Sequence, residues 1–110
     1  MVDYAELIAR TALELKAIQL NTDDPITWAS GYRMPIYNDN RLFLGSAANR
    51  ALIAHAFAET IQRRQINYDL LAGTSTAGIS PVTTLSDNLG VGLIYVRDEP
   101  KDHGLFSWNA

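Results

Sequence analysis

The fold is decided by one stretch, Tyr68–Val96, which has the sequence YDLLAGTSTAGISPVTTLSDNLGVGLIYV. It opens with Tyr68–Ala72, an apolar run of strand length. A loop of small residues, Thr74–Gly78, leads into a helical segment with Pro81 in its first turn, where proline is tolerated. A second apolar run follows at Val91–Val96. The order strand, loop, helix, strand predicts a βαβ unit with two parallel strands.

The segment before this unit predicts a helix. Ser46 is suited to its N-cap, and an apolar stripe at helical spacing runs to about Arg63–Gln65. The arginines at its end suit the negative end of the helix dipole. We expect residues 45–110 to form the first part of an α/β core.

Residues 1–44 differ in character and are predicted to form an N-terminal helix and a small hood. Apolar residues at spacings of three and four predict a helix from Asp3, its cap, to about Leu20. Ile26–Leu44 predicts short strands around a Ser30–Gly31 turn, with Pro35 confining a strand to an edge. We expect the aromatic residues of these strands to belong to the core, although stacking on a base ring is an alternative.

Composition excludes several function classes. The chain has 110 residues, 47% of them hydrophobic, and its nine basic and twelve acidic residues give a net charge of -3. That balance argues against a general nucleic-acid binder, which needs a surplus of basic residues. No apolar run approaches the roughly 18–20 residues that span a bilayer. The absence of cysteine excludes disulfides and Cys-based zinc sites and favours a cytoplasmic location.

The loop after the first predicted strand is a candidate anion site. Small residues there let backbone N–H groups approach an anion at a helix N-terminus, and Thr74, Ser75 and Thr76 add hydroxyl donors. The alternative is a tight strand-to-helix turn without a ligand.

A second candidate follows the second predicted strand. Arg97, Lys101 and His103 together could hold a multiply charged phosphate group. Ligands of open α/β sheets bind at this end of the strands, but a solvated charged loop is the alternative. His55 is expected to be a packing residue, and with so few ligands we predict no metal site built by the protein.

Four segments, in this order, resemble the orotate phosphoribosyltransferases of pyrimidine nucleotide synthesis. They are Ala12–Ile18, Trp28–Arg41, Ala72–Ile79 and Tyr95–Gly104, and the Lys-Asp-His-Gly that ends the last one is the most specific. The resemblance implies a type I phosphoribosyltransferase fold, with a parallel-sheet core, helices on both faces and a small N-terminal hood.

It also implies a reaction, in which orotate and phosphoribosyl pyrophosphate give orotidine monophosphate and pyrophosphate. Magnesium would be carried by the phosphoribosyl pyrophosphate. Arg97, Lys101 and His103 match the family's catalytic pyrophosphate-binding residues. The implied substrate-binding residues are these three together with Ser30, Gly31 and Tyr37 on the orotate side and Thr74, Ser75, Thr76 and Ala77 beside the phosphates. A homodimer that shares its catalytic loop between subunits is implied as well.

The sequence departs from the family in three places. Asp98 stands where some members have a second basic residue, and Leu105–Ala110 does not match the Gly/Asn-rich loop that follows Gly104 in the family. The acidic-pair, Thr/Gly-rich motif that cradles the ribose 5-phosphate has no counterpart. We therefore expect the N-terminal half of the fold, inactive by itself. The alternatives are a non-catalytic binding or dimerisation module of the family and a different phosphoribosyltransferase.

Overall fold

A computed structural model of the chain describes residues 2–99. The chain divides into two compact units, the first ending at Asn49 and the second beginning at Arg50. No helix in the described part is both long and apolar enough to cross a membrane.

The first unit begins with helix α1, Tyr4–Glu14. As predicted, Asp3 is its N-cap, and its carboxylate accepts a hydrogen bond of 3.1 Å from the backbone N–H of Glu6. That bond satisfies one of the N–H groups that a helix leaves without a partner at its start.

The predicted end of this helix near Leu20 is wrong. Lys16 has a φ of 60°, and the Ala17 N–H donates to the carbonyl of Ala12 at 2.8 Å. A left-handed residue followed by such a bond is a common way to end a helix. Ile18–Leu20 then forms strand β1, so residues counted into the helical pattern belong to a sheet.

Short strands fill the rest of the unit, as predicted. Strand β2 (Ile26–Thr27) pairs antiparallel with β3 (Arg33–Met34). Strand β4 (Ile36–Asn38) pairs antiparallel with β1. Pro35 separates β3 from β4, which suits a residue that cannot donate to a ladder. A 3₁₀ helix, Asn40–Gly45, follows.

Helix α2, Ala47–Arg63, has the predicted bounds. The Ser46 hydroxyl accepts a hydrogen bond of 3.3 Å from the Asn49 N–H, which is the expected capping contact.

The predicted βαβ unit is present and parallel. Strand β5 (Leu71–Thr74), helix α3 (Ile79–Leu89) and strand β6 (Leu93–Val96) follow in order. The register runs from Leu71 opposite Leu93 to Thr74 opposite Val96.

The strand bounds differ from the prediction by a few residues. The ladder begins where the Leu71 N–H donates to the Gly92 carbonyl at 3.0 Å, so Tyr68–Leu70 lie before the strand. Apolar character alone does not mark where strand pairing begins.

Helix α3 packs on this sheet through Val82 and Leu85, each 7% exposed. Gly73 of β5 is buried beneath it. Gly90, with a φ of 68°, ends the helix in the left-handed conformation that glycine favours. The helix and the two strands place the carboxyl ends of both strands beside the start of α3.

Candidate functional site

The loop between β5 and α3 presents backbone donors to solvent. Within it, the Gly78 N–H donates to Thr74 O at 2.8 Å and the Ile79 N–H to Thr76 O at 3.2 Å. The N–H groups of Thr76 and Ala77 make no hydrogen bond within residues 2–99, and both residues are exposed. These donors lie at the positive end of α3, an arrangement that binds phosphates and other anions.

Three hydroxyl groups accompany these donors. Thr74, Ser75 and Thr76 are all exposed, and the hydroxyls of Ser75 and Thr76 lie 3.4 Å apart. The Ser75–Thr76 peptide bond is cis. The loop therefore combines main-chain and hydroxyl donors, as its sequence predicts.

Two glycines allow the tight turn. A Cβ on Gly73 would lie 2.5 Å from the Gly78 carbonyl oxygen and 2.6 Å from Val82 Cγ1. A Cβ on Gly78 would lie 2.7 Å from both the N and the O of Thr74. Since real Cβ contacts are longer, a side chain at either position would push the loop and α3 away from β5.

Arg97 follows the carboxyl end of β6, which is hydrogen-bonded to this loop. The Ser75 N–H donates to the carbonyl of Val96 at 2.8 Å, which joins the ends of the two strands. Arg97 is the next residue, is exposed, and forms no ion pair with another described residue. The structure thus brings together Thr74, Ser75, Thr76, Ala77 and Arg97. Lys101 and His103 lie outside the described residues.

The predicted orotate-side residues lie in the first unit. Ser30 and Gly31 form the exposed turn between β2 and β3, where Gly31 has a φ of 94°. The Gly31 N–H donates to Trp28 O at 2.9 Å, and the Trp28 N–H donates to Tyr32 O at 2.7 Å. Tyr37 is half-buried in β4, opposite Gln19.

An ion pair follows Tyr37 directly. Arg41 donates from Nε to Asp39 Oδ1 at 2.8 Å and from Nη2 to Oδ2 at 3.0 Å. The hydrogen bond from Arg41 holds the pKa of Asp39 below 3.8, and the same contact raises the pKa of Arg41. This pair fixes the chain at the point where β4 passes into the 3₁₀ helix.

The expectation that the hood aromatics are core residues is wrong for two of them. Trp28 is 36% exposed and Tyr32 is 69% exposed. Both residues lie outside the strands, in the connection between the end of β2 at Thr27 and the start of β3 at Arg33. Sequence reasoning also missed that the Trp28 indole N–H donates to the Ile36 carbonyl at 2.7 Å. A tryptophan two residues before a Ser-Gly turn is the signal that could have drawn attention to it.

Among residues 2–99, no group of three His, Asp or Glu side chains is placed to hold a metal ion. The candidate chemistry of the described residues rests on the donors of the β5–α3 loop and the Arg97 guanidinium, which suit an anion.

Curated relatives of the chain carry the name orotate phosphoribosyltransferase. No protein-family model matches the chain. The orotate phosphoribosyltransferase of Lactiplantibacillus plantarum is 45% identical over 104 residues, which are 94% of this chain and 49% of that protein. The one from Streptococcus mutans is 43% identical over 100 residues, or 91% of this chain and 48% of that protein. The chain thus spans about half the length of the curated relatives it matches.

Solved structures share the fold. The orotate phosphoribosyltransferase of Aeropyrum pernix has a TM-score of 0.73 at 25% identity, covering 93% of this chain and 56% of that one. A yeast adenine phosphoribosyltransferase has a TM-score of 0.63 at 22% identity, covering 88% of this chain and 56% of that one. At this identity the match is evidence for the fold only. The architecture is that of about half a type I phosphoribosyltransferase. By sequence and by fold, the chain is a homologue of the orotate phosphoribosyltransferases over about half of their length.

Proposed function

We propose that this chain supplies the N-terminal half of an orotate phosphoribosyltransferase. In the reaction, a ring nitrogen of orotate bonds to the anomeric carbon of phosphoribosyl pyrophosphate, and the bond from that carbon to the pyrophosphate oxygen breaks. The products are orotidine monophosphate and pyrophosphate. The observation that carries the proposal is the exposed β5–α3 loop, with two unbonded N–H groups beside Arg97, in a chain 43–45% identical to enzymes of that name.

The loop and Arg97 are assigned to the leaving pyrophosphate. Negative charge grows on that group as its bond to the sugar breaks, so donors already aimed at it favour the transition state. The N–H groups of Thr76 and Ala77 and the Arg97 guanidinium are donors of this kind. Magnesium would arrive with phosphoribosyl pyrophosphate as part of the substrate.

Lys101 and His103 are assigned to the same pyrophosphate on the basis of the family resemblance. Lys101 has the largest expected effect, as a point charge on the leaving group. We also propose a homodimer in which this segment of one subunit serves its partner's site.

The orotate side is assigned to Ser30, Gly31 and Tyr37. The turn exposes the Ser30 hydroxyl together with the Gly31 backbone, which suits the polar edge of a pyrimidine. Tyr37 in β4 supplies an aromatic ring and a hydroxyl in the same unit.

The test is a chimera. The 104 residues that align with the Lactiplantibacillus plantarum relative replace their counterparts in that enzyme, and orotate consumption is measured with phosphoribosyl pyrophosphate and magnesium. We expect turnover, and we expect Lys101→Ala to lower kcat by ~10²-fold, a usual effect of removing one preorganised donor.

The matched control is Arg64→Ala, which removes an exposed basic side chain outside the proposed site and should leave kcat within about twofold, as surface changes usually do. A folded chimera without turnover would contradict the proposal. Equal turnover in the Lys101→Ala variant would contradict the role given to Lys101.

A further inference from the structure

We propose that Trp28 is a positioning residue of the base-binding side: its indole ties the Ser30–Gly31 turn to the strand that carries Tyr37. The inference rests on the proposed function, because it assumes that this turn and Tyr37 contact orotate.

Trp28 makes hydrogen bonds to both parts of the proposed base-binding side, the Ser30–Gly31 turn and strand β4. Through its backbone, Trp28 closes the turn, accepting from the Gly31 N–H at 2.9 Å and donating to Tyr32 O at 2.7 Å. Through its side chain it reaches β4, where Nε1 donates to the Ile36 carbonyl at 2.7 Å. Ile36 precedes Tyr37 in β4, so this side-chain hydrogen bond links the turn to the strand that carries Tyr37.

The surrounding pairing is too sparse to replace this bond. The β2–β3 ladder joins two residue pairs and the β1–β4 ladder joins three. Among the described residues, no backbone hydrogen bond joins one ladder to the other. Along the chain, Pro35 alone lies between β3 and β4. The Pro35 carbonyl accepts from the Asn21 N–H at 2.7 Å, so the β1–β4 pairing continues up to this link but not into the hairpin. Without the indole bond, the hairpin loses its side-chain hydrogen bond to β4.

The indole is not simply a core side chain. The exposed fraction of Trp28 is 36%. A tryptophan that served packing alone could make the same hydrogen bond to a carbonyl while being buried. A partly exposed ring beside the proposed orotate turn changes its fluorescence when a planar ligand binds nearby. Trp28 therefore offers an emission signal that reports ligand binding near the turn, and the variants below test its positioning role.

The expected effect is selective. Trp28 acts through Ser30, Gly31 and Tyr37, all in the first unit, whereas the β5–α3 loop belongs to the second. Loss of the indole bond should therefore weaken orotate binding and leave pyrophosphate binding unchanged. A general loss of stability would weaken the binding of both ligands.

The first experiment needs no change at Trp28. In the full chain with Trp108→Phe, Trp28 is the remaining tryptophan of the two in the sequence. We expect its indole N–H to be protected from hydrogen exchange, and its emission to change saturably with orotate but not with adenine. An unprotected indole N–H, or an emission that orotate does not change, would overturn the inference.

The second experiment compares Trp28→Phe, which keeps a flat ring and loses the N–H, with Tyr32→Phe in the same hairpin. By calorimetry we expect Trp28→Phe to weaken orotate binding about fivefold, the scale of one neutral hydrogen bond, with pyrophosphate affinity unchanged. Tyr32→Phe should change neither, because the Tyr32 side chain is exposed and has no hydrogen bond within residues 2–99.

Equal orotate affinity in both variants, or a parallel loss of orotate and pyrophosphate affinity, would overturn the inference. Failure of the proposed function has a different signature, an inactive chimera. An active chimera in which Trp28→Phe leaves orotate affinity unchanged would therefore reject the positioning role and leave the proposed function standing.

Discussion

Gly73→Ala tests how closely α3 must approach β5 for the anion loop to form. A Cβ at this position would lie 2.5 Å from the Gly78 carbonyl oxygen, 2.6 Å from Val82 Cγ1 and 2.9 Å from Val82 Cβ. The nearest of these atoms belongs to the backbone and cannot rotate away. It would have to withdraw by about 0.9 Å to reach 3.4 Å, the near limit of ordinary contact.

The cost follows from two opposing effects. Overpacking a tight site typically destabilises by about 1–3 kcal/mol. Replacing glycine by alanine recovers about 0.4–1 kcal/mol, because the unfolded chain has fewer conformations to lose. The net loss in the free energy of unfolding should be about 1–2 kcal/mol, or roughly 5–10 °C in Tm for a small domain.

Urea unfolding and pyrophosphate calorimetry measure the two consequences. We expect lower stability and weaker pyrophosphate binding, since the shift of α3 moves Thr76 and Ala77. Gly92→Ala is the matched control, because a Cβ there meets no atom within 4 Å; it should be neutral or slightly stabilising. If Gly73→Ala is as stable as Gly92→Ala, the close approach of α3 to β5 does not constrain the loop.

Two further predictions concern single contacts. Arg41→Gln should return the pKa of Asp39 towards 3.8 in an NMR titration. Because this carboxyl has a lowered pKa in the folded chain, its pairing with Arg41 stabilises the fold above pH 3.8. That stabilisation is lost as the pH falls through the folded pKa. A difference in unfolding free energy between wild type and variant that grows below pH 3.8 would contradict this. Ser86→Ala removes the hydroxyl that donates to the Val91 carbonyl at the end of α3, and should cost about 1–2 kcal/mol in urea unfolding by leaving that carbonyl without its donor. Equal stability of Ser86→Ala and the exposed-site control Ser80→Ala would refute it.

Features set by local chemistry were predictable from the sequence. The caps at Asp3 and Ser46, the glycine that ends α3 and the parallel βαβ order all follow from residue type and spacing. Each depends on neighbours within a few residues or on the handedness of the crossover connection.

Features set by pairing with distant residues were not predictable. Ile18 continues the helical spacing of α1, yet it lies in β1 because its partner in β4 is Asn38. The left-handed Lys16 that separates helix from strand carries no sequence signal, since glycine or asparagine is the usual residue there. Tyr68 joins an apolar run but stays outside β5, because the ladder with β6 begins at Leu71.

The candidate site likewise contains one part that was predictable from the sequence and one part that was not. The donor-rich loop was predictable, because small residues between a strand and a helix leave backbone N–H groups open at the helix N-terminus, and its three hydroxyl residues add donors. The exposed Trp28 and its bond to Ile36 were not, because an indole in a strand segment usually indicates core.

The central claim is that the β5–α3 loop and Arg97 form the pyrophosphate side of a phosphoribosyl transfer site. The most direct measurement is a titration of the isotope-labelled chain with magnesium pyrophosphate, followed through backbone amide signals. The account predicts saturable shifts of the Thr76 and Ala77 amides that weaken in Arg97→Ala and persist in the control Arg33→Ala. Unchanged Thr76 and Ala77 signals at saturating pyrophosphate, or equal shifts in both arginine variants, would contradict it.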